Sequence, residues 1–185
     1  MVKNFLSIDC DWIQSTQQMV NLNDLIFNRF KSAKRIIFSK NHHAIIKYID
    51  KPINLYNIDH HHDINYHYEN QYVNQGNWIQ YLNQKNLLEK YFWVHNSDSE
   101  MIHDEITDFT RPLKGFDYNM GLELCDGIEF EDILICESFG FTDYLKNEAK
   151  KFFIPYYIFK QIAVHFFEEK VIIDNEENKV KFYGE

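Results

Sequence analysis

Disulfides, thiolate metal sites and membrane spans all lack raw material in this sequence. Its three cysteines, Cys10, Cys125 and Cys136, are odd in number and never in C-x-x-C spacing, which excludes a disulfide framework and predicts reduced, buried thiols. There is no run of about 18 apolar residues and no N-terminal basic-plus-apolar signal, so a soluble, cytoplasmic protein is expected. Positive charge is also scarce: 19 Lys and Arg stand against 28 Asp and Glu, a formal net charge of −9. A nucleic-acid surface needs a basic face, so nucleic acid is not an expected partner. Metal ions and cationic substrates suit the balance. Apolar residues are plentiful, at 45% with 17% aromatic, enough for a dense core. With no internal repeat or low-complexity linker, the 185 residues predict a single domain over 1–185.

Short apolar runs alternate with amphipathic stretches, the pattern of βα units. Strands are expected at Asn4 to Asp9, Arg35 to Ser39, Ile53 to Ile58, Tyr91 to His95 and Ile133 to Cys136. Helices are expected at Asn21 to Lys31, His42 to Ile49, Asn77 to Leu88, Thr142 to Lys151 and Tyr156 to Glu169, with Pro155 opening the last. Asn96 to Gly127 reads as a long loop with some short helix, and Val171 to Tyr183 as a β-hairpin. Strands separated by helices predict an α/β three-layer sandwich with a mainly parallel sheet. In such sheets a site lies beyond the carboxyl ends of the strands.

The residues suited to chemistry fall in those places. Tyr56 to Asn65 reads YNIDHHHDIN, and alternation at a strand end would turn Asp59, His61 and Asp63 to one side, with His60 and His62 on the other. Two carboxylates and an imidazole suit Mn²⁺, Fe²⁺ or Zn²⁺. Consecutive histidines flanked by aspartates would be costly to bury without a partner. Asp9 and Asp11, in Ser7-Ile8-Asp9-Cys10-Asp11, form a D-x-D at the end of the first strand that could bridge a metal pair. After the second strand comes Lys40-Asn41-His42-His43, where His42 could cap a metal site or Asn41 could cap a helix. Glu137 ends the ILIC strand and could hold a guanidinium bidentately, or cap the next helix.

Together these motifs resemble the arginase–deacetylase (ureohydrolase) superfamily. Asp59-His60-His61-His62-Asp63-Ile64-Asn65 fits its D-x-H-x-D motif with the following Ile-Asn, and Ser7 to Asp11 resembles its S-x-D-x-D. Ser39 to His43 looks like a degenerate form of its Gly-Gly-Asp-His-Ser segment, and Ile133 to Glu137 like its strand ending in a guanidinium-binding glutamate. The motif order is reversed, which implies an arginase-like sheet with permuted strand order. Length and the NHH plus DHHHD pattern are most similar to the small peptide arginases, which convert arginine to ornithine in ribosomally made precursor peptides. The resemblance implies two Mn²⁺ ions, with Fe²⁺ or Zn²⁺ as substitutes. One would be held by Asp9, His42, Asp59 and Asp63, the other by Asp9, Asp11, Asp59 and His61. It implies Asp63 or Asp11 as the group orienting the attacking water, and Glu137 as the guanidinium-binding residue. Asn65 and Asn77 would contact substrate, and His67 or His95 would shuttle protons.

Three other readings stay open. Asp9-x-Asp11 with Ser15, and the literal Asp59-His60-His61, also resemble a DHH-type phosphoesterase. A non-catalytic metal- or peptide-binding module, and a one-metal zinc deacetylase on the same fold, are the others.

Overall fold

The computed structural model describes residues 2–64, 72–97, 99, 113, 115–137, 150–175 and 180–181, with backbone alone over 150–154. Seven strands form one parallel sheet: β1 (Lys3–Asp9), β2 (Arg35–Ser39), β3 (Ile53–Ile58), β4 (Leu88–Val94), β5 (Phe116–Asn119), β6 (Asp132–Cys136) and β7 (Val171–Asp174). Their order across the sheet is β5-β4-β3-β1-β6-β2-β7. Three described α-helices join them: α1 (Thr16–Ser32), α2 (Trp78–Gln84) and α3 (Lys150–Phe167). The expected α/β sandwich with a parallel sheet is what the chain forms.

Strand pleating sorts the core into two faces. Leu6 and Ile8 of β1 pack with Leu22, Ile26 and Phe30 of α1 and with Phe159 and Ala163 of α3. Phe5 of β1 packs instead with Trp78, Ile79 and Leu82 of α2 and with Ile45. The period of two then turns Ser7 and Asp9 to the α2 side. On β3, Leu55 joins the α2 side while Tyr56 and Ile58 join the α1 side, so Asn57 and Asp59 share the α2 side with Asp9. Leu6 and Ile8 are fully buried, and each contributes roughly 1.5–3 kcal/mol. That anchoring fixes β1 firmly enough to hold acids out of water at its end.

Several expected elements differ. Helix α1 starts earlier, at Thr16, because Ser15 caps it by accepting from the Gln18 N–H at 3.1 Å. The segment at His42–Tyr48 is 3-10 rather than α. Helix α2 stops at Gln84, and Leu88, expected at its end, begins β4 after a left-handed Asn86. Pro155 lies inside α3 rather than before it. The expected loop from Asn96 contains the edge strand β5. The expected C-terminal hairpin is absent among the described residues: β7 pairs parallel with β2, and Lys181 bridges Tyr72. The helix expected at Thr142 to Lys151 lies almost wholly outside the described residues. No described helix is long and apolar enough to cross a membrane.

Candidate metal centre

Strand β1 lies between β3 and β6, and the chain leaves it for β2 on the β6 side before returning to β3 on the other. The carboxyl ends of β1 and β3 therefore flank a crevice of the kind that holds ligands in open parallel sheets. Asp9 is the last residue of β1, and Asp11 sits one turn on, in the 3-10 turn Cys10–Trp12. Asp59 follows β3 directly. His42 opens the 3-10 segment after β2 and is fully buried.

His42 Nδ1 faces three carboxylate oxygens: Asp63 Oδ2 at 3.0 Å, Asp59 Oδ2 at 3.2 Å and Asp9 Oδ2 at 3.4 Å. None meets it in hydrogen-bonding geometry, so this buried nitrogen has no hydrogen-bond partner among the described residues. An imidazole nitrogen carries at most one proton and could serve only one of the three. Ligands about 2.1 Å from a shared cation sit roughly 3 Å from one another, which is the spacing seen. A proton on Nε2 donated to Ser7 Oγ, 2.6 Å away, leaves the Nδ1 lone pair facing the acids. The donor set fits a divalent cation.

Two ligand groups emerge, each with its atoms within 4.8 Å of one another: Asp9, His42 and Asp59, and then Asp11, Asp59 and His61. Asp59 belongs to both. In the second group His61 Nδ1 lies 3.2 Å from Asp11 Oδ2 and 3.9 Å from Asp59 Oδ1. Its side chain is 22% exposed against 1% for His42, so the second group is the one facing solvent.

The convergence at residues 59–63 is not the strand alternation expected, since β3 has ended at Ile58. It comes from turns. Asp59 Oδ1 accepts from the His61 N–H at 2.8 Å, and Asp63 takes a left-handed φ of 52° that aspartate tolerates. Trp78 Nε1 then donates to Asp63 Oδ2 at 2.6 Å. His60 and His62 turn elsewhere, as the alternation suggested. His60 Nδ1 meets Asn96 Oδ1 at 3.1 Å, while His62 Nδ1 accepts from the Ile64 N–H at 3.1 Å. Burial pushes His62 down to about 4, so it is neutral.

The electrostatics point to missing positive charge. Burial, then Asp11, raises Asp9 to about 6. Burial, then Asp63 and Asp11, holds Asp59 well above the usual carboxylate range. Burial would lower His42, but Asp59, Asp63 and Asp9 override it and raise the imidazole well above its ordinary value. Burial opposes ionisation of Asp11 as well, yet His61 brings it down. A cation between these groups would stabilise every ionised carboxylate at once.

Ser7 was legible only as part of a motif, and its contact with Nε2 gives it a definite role: it fixes the His42 ring. Ser7→Ala is expected to weaken divalent-cation affinity by roughly 10–100-fold with little change in fold. Titration of Mn²⁺ by calorimetry checks this, and unchanged affinity would remove Ser7 from the site. Asn57 and Trp78 went unnoticed in the sequence. Asn57 Nδ2 donates to Asp59 Oδ2 at 3.2 Å. The available signal was phase: Asn57 is in step with Asp59 on β3, and Trp78 opens a helix.

The remaining sequence candidates sit as follows. Glu137 is 2% exposed, its N–H donates to Ser39 O at 2.9 Å, and its Oε2 has no partner among the described residues. Its charge is the next cause after burial that raises Tyr156, and it follows burial, Asp9 and Asp11 in raising Cys10. Asn77 is buried and committed to its own loop, accepting from the Asn74 N–H at 2.8 Å and donating to Tyr72 O at 3.3 Å. It shapes the turn that delivers Trp78. His95 is 9% exposed, with Nδ1 at 2.9 Å from Asn96 O. Asn65 and His67 lie outside the described residues. No family model, curated protein or solved structure matches this chain.

Proposed function

We propose that the chain is a two-metal hydrolase that converts arginine side chains to ornithine with release of urea, acting on a ribosomally made precursor peptide. The observation that carries this reading is Asp59, whose two oxygens are shared between neighbouring ligand groups at the crevice. Two hard-to-borderline sites joined by one carboxylate suit a pair of Mn²⁺ ions, with Fe²⁺ or Zn²⁺ as substitutes. Bound there, the cations would supply Lewis acidity that lowers the pKa of water toward neutrality.

The protein's own groups do the rest. Asp59 would serve both ion sites, with Asp9 and His42 holding the buried one and Asp11 and His61 the open one. Asp63, fixed by the Trp78 N–H, keeps an oxygen against the cluster and orients the attacking water. In this reading Glu137, whose Oε2 faces no donor among the described residues, takes the substrate guanidinium. Holding the guanidinium over the nucleophile matters because resonance makes its carbon a poor electrophile. A site built from five acids and two histidines suits a cation better than a phosphodiester.

With Mn²⁺ added, the protein is expected to release urea from an arginine-containing peptide, with a mass loss of about 42 Da per arginine as guanidinium becomes amine. Free arginine, run in parallel, tells which form is used. Two bound ions without urea would favour the phosphoesterase, and one bound ion the deacetylase. No bound metal would end the reading.

A further inference from the structure

The two edges of the sheet are finished differently. At β5 the Asn119 carbonyl accepts from the His95 N–H at 3.0 Å, so the N–H groups of Tyr118 and Met120 point outward. Each donates to a neighbouring side chain, Tyr118 to Asp117 Oδ1 at 2.9 Å and Met120 to Asn119 Oδ1 at 2.7 Å. That edge is blunted against further pairing. At the other edge β7 is Val-Ile-Ile-Asp, with no proline, lysine or bulge, and it pairs only with β2 among the described residues. Ile173 is in step with Val171, which packs with the α1 and α3 core, so its side chain stands on the α3 side, and it is 39% exposed.

Helix α3 carries a matching flank. In chain order α1 runs between β1 and β2, and α3 between β6 and β7, with both on the Leu6 and Ile8 side, so α3 is the outer helix of that layer. Phe166 and Phe167 turn toward α1, their ring centroids 6.0 and 6.2 Å from Phe27. Two residues along a helix is a turn of about 200°, so Val164 points away from α1 on the β7 flank, and it is 41% exposed. Exposed Tyr157, two turns earlier, shares that flank. Lys160 and Glu168 stand four residues either side of Val164 there. Lys160 Nζ lies 5.9 Å over the Tyr156 ring, and neither residue meets an opposite charge among the described residues.

A two-fold axis through Val164 would set Lys160 of one copy opposite Glu168 of the other, twice. The same axis serves the strand. Val164 lies about 6 Å up α3 from Glu168, and Ile173 about 7 Å up β7 from Val171, so helix and strand midpoints are level. A flank whose charges complement their own two-fold image fits a second copy of this chain better than an unrelated protein.

We infer that β7 and the outer flank of α3 join a second copy of this chain, β7 pairing antiparallel with β7 to make one continuous sheet. The two α3 helices then lie antiparallel beside each other, Val164 against Val164, with the Lys160–Glu168 pairs on either side. Antiparallel joining points the carboxyl ends of the two sheets in opposite directions, so each candidate metal centre stays open and separate. The interface is independent of the hydrolase reading.

The test is sedimentation velocity of the full chain across micromolar concentrations. A species of twice the chain's 22.4 kDa is expected, growing with concentration. Lys160→Glu sets like charges opposite each other at both contacts and should raise the dissociation constant at least about tenfold, and Glu168→Lys should do the same. Lys160→Glu combined with Glu168→Lys restores opposite charges across the axis and should return the constant to within about threefold of the parent's. A misfolded single variant would not be rescued by a second charge change, so the swap separates lost pairing from lost fold. Ile173→Lys, an exposed change of the kind that guards natural sheet edges, should leave monomer. A parent that stays monomeric, a dimer indifferent to Ile173→Lys, or a charge swap that dimerises no better than the single variants would overturn the interface.

Discussion

Asp59→Asn is expected to lose divalent-cation binding at both ligand groups and, under the proposed hydrolase reading, to lower urea release by on the order of a thousandfold or more. The expectation follows from position rather than from charge count. Asp9 and His42 belong to one ligand group and Asp11 and His61 to the other, whereas Asp59 belongs to both. An amide offers a single neutral oxygen, so both groups lose the anionic ligand they share. Loss at Asp11, by contrast, touches the open group alone, and one ion should remain. Metal content after gel filtration, counted per chain, reads the difference directly. Two ions retained by Asp59→Asn would sink the shared-carboxylate arrangement.

The same variant carries a second, opposite signature. In the metal-free protein Asp59 is buried beside Asp63, Asp11 and Asp9, and burial first, then that company, raises its pKa. Removing a charge held among like charges relieves the fold. Metal-free Asp59→Asn should therefore melt higher than the metal-free parent, by about 2–8 °C for a gain of roughly 1–2 kcal/mol in a chain this size. A variant that merely damaged the fold would melt lower. The pair of readouts separates a ligand from a structural residue.

The sequence carried the centre of the fold and of the site because both are written in local pattern. β1, β2, β3 and β6 are mostly apolar and mostly buried on both faces, and their limits were legible to within a residue. The acids and histidines stand just beyond those runs, where a parallel sheet places its ligands. The edges were not legible. β5 is FDYN with three of four residues exposed, so it has neither an apolar run nor a clean alternation. β7 was mistaken for half of a hairpin because VIID fits an edge strand of either direction, and only its pairing with β2 decides. Pro155 argued for a helix start, since a proline inside a helix removes a hydrogen bond, yet α3 runs through it. The second layer around the candidate metal ligands was invisible for another reason. Ser7 meets His42 across 35 positions, and Trp78 meets Asp63 across 15, contacts that only the folded chain creates.

The gap in melting temperature between the Mn²⁺-loaded and metal-free protein will widen as pH rises from about 4 to 7. Folded Asp9 titrates at about 6 against an ordinary 3.8, so the fold binds its proton more tightly than the unfolded chain does. That contribution is fully present below 3.8 and lost as pH climbs through 6. Asp59 is raised too, and its contribution fades in the same direction, whereas His42 and His61 are raised from 6.5 and lose theirs only above it. Asp11 moves oppositely, its stabilisation present above 3.8 and lost as pH falls, but it is one carboxylate against two. Asp132, at the other end of the sheet, is also lowered: burial opposes its ionisation, but Arg35 and Lys3 prevail. Its acid sensitivity affects both forms of the protein alike and cancels in the difference. The Asp9 shift alone, about two units, corresponds to roughly 3 kcal/mol, or about 6–12 °C. At the high end the cation replaces the missing protons, and at a hundredfold excess over its dissociation constant it adds about 2.7 kcal/mol. Thermal melts in EDTA and in Mn²⁺ at four pH values decide the matter. A gap that stays flat, or narrows toward pH 7, would mean that the buried acids are not held together by a cation.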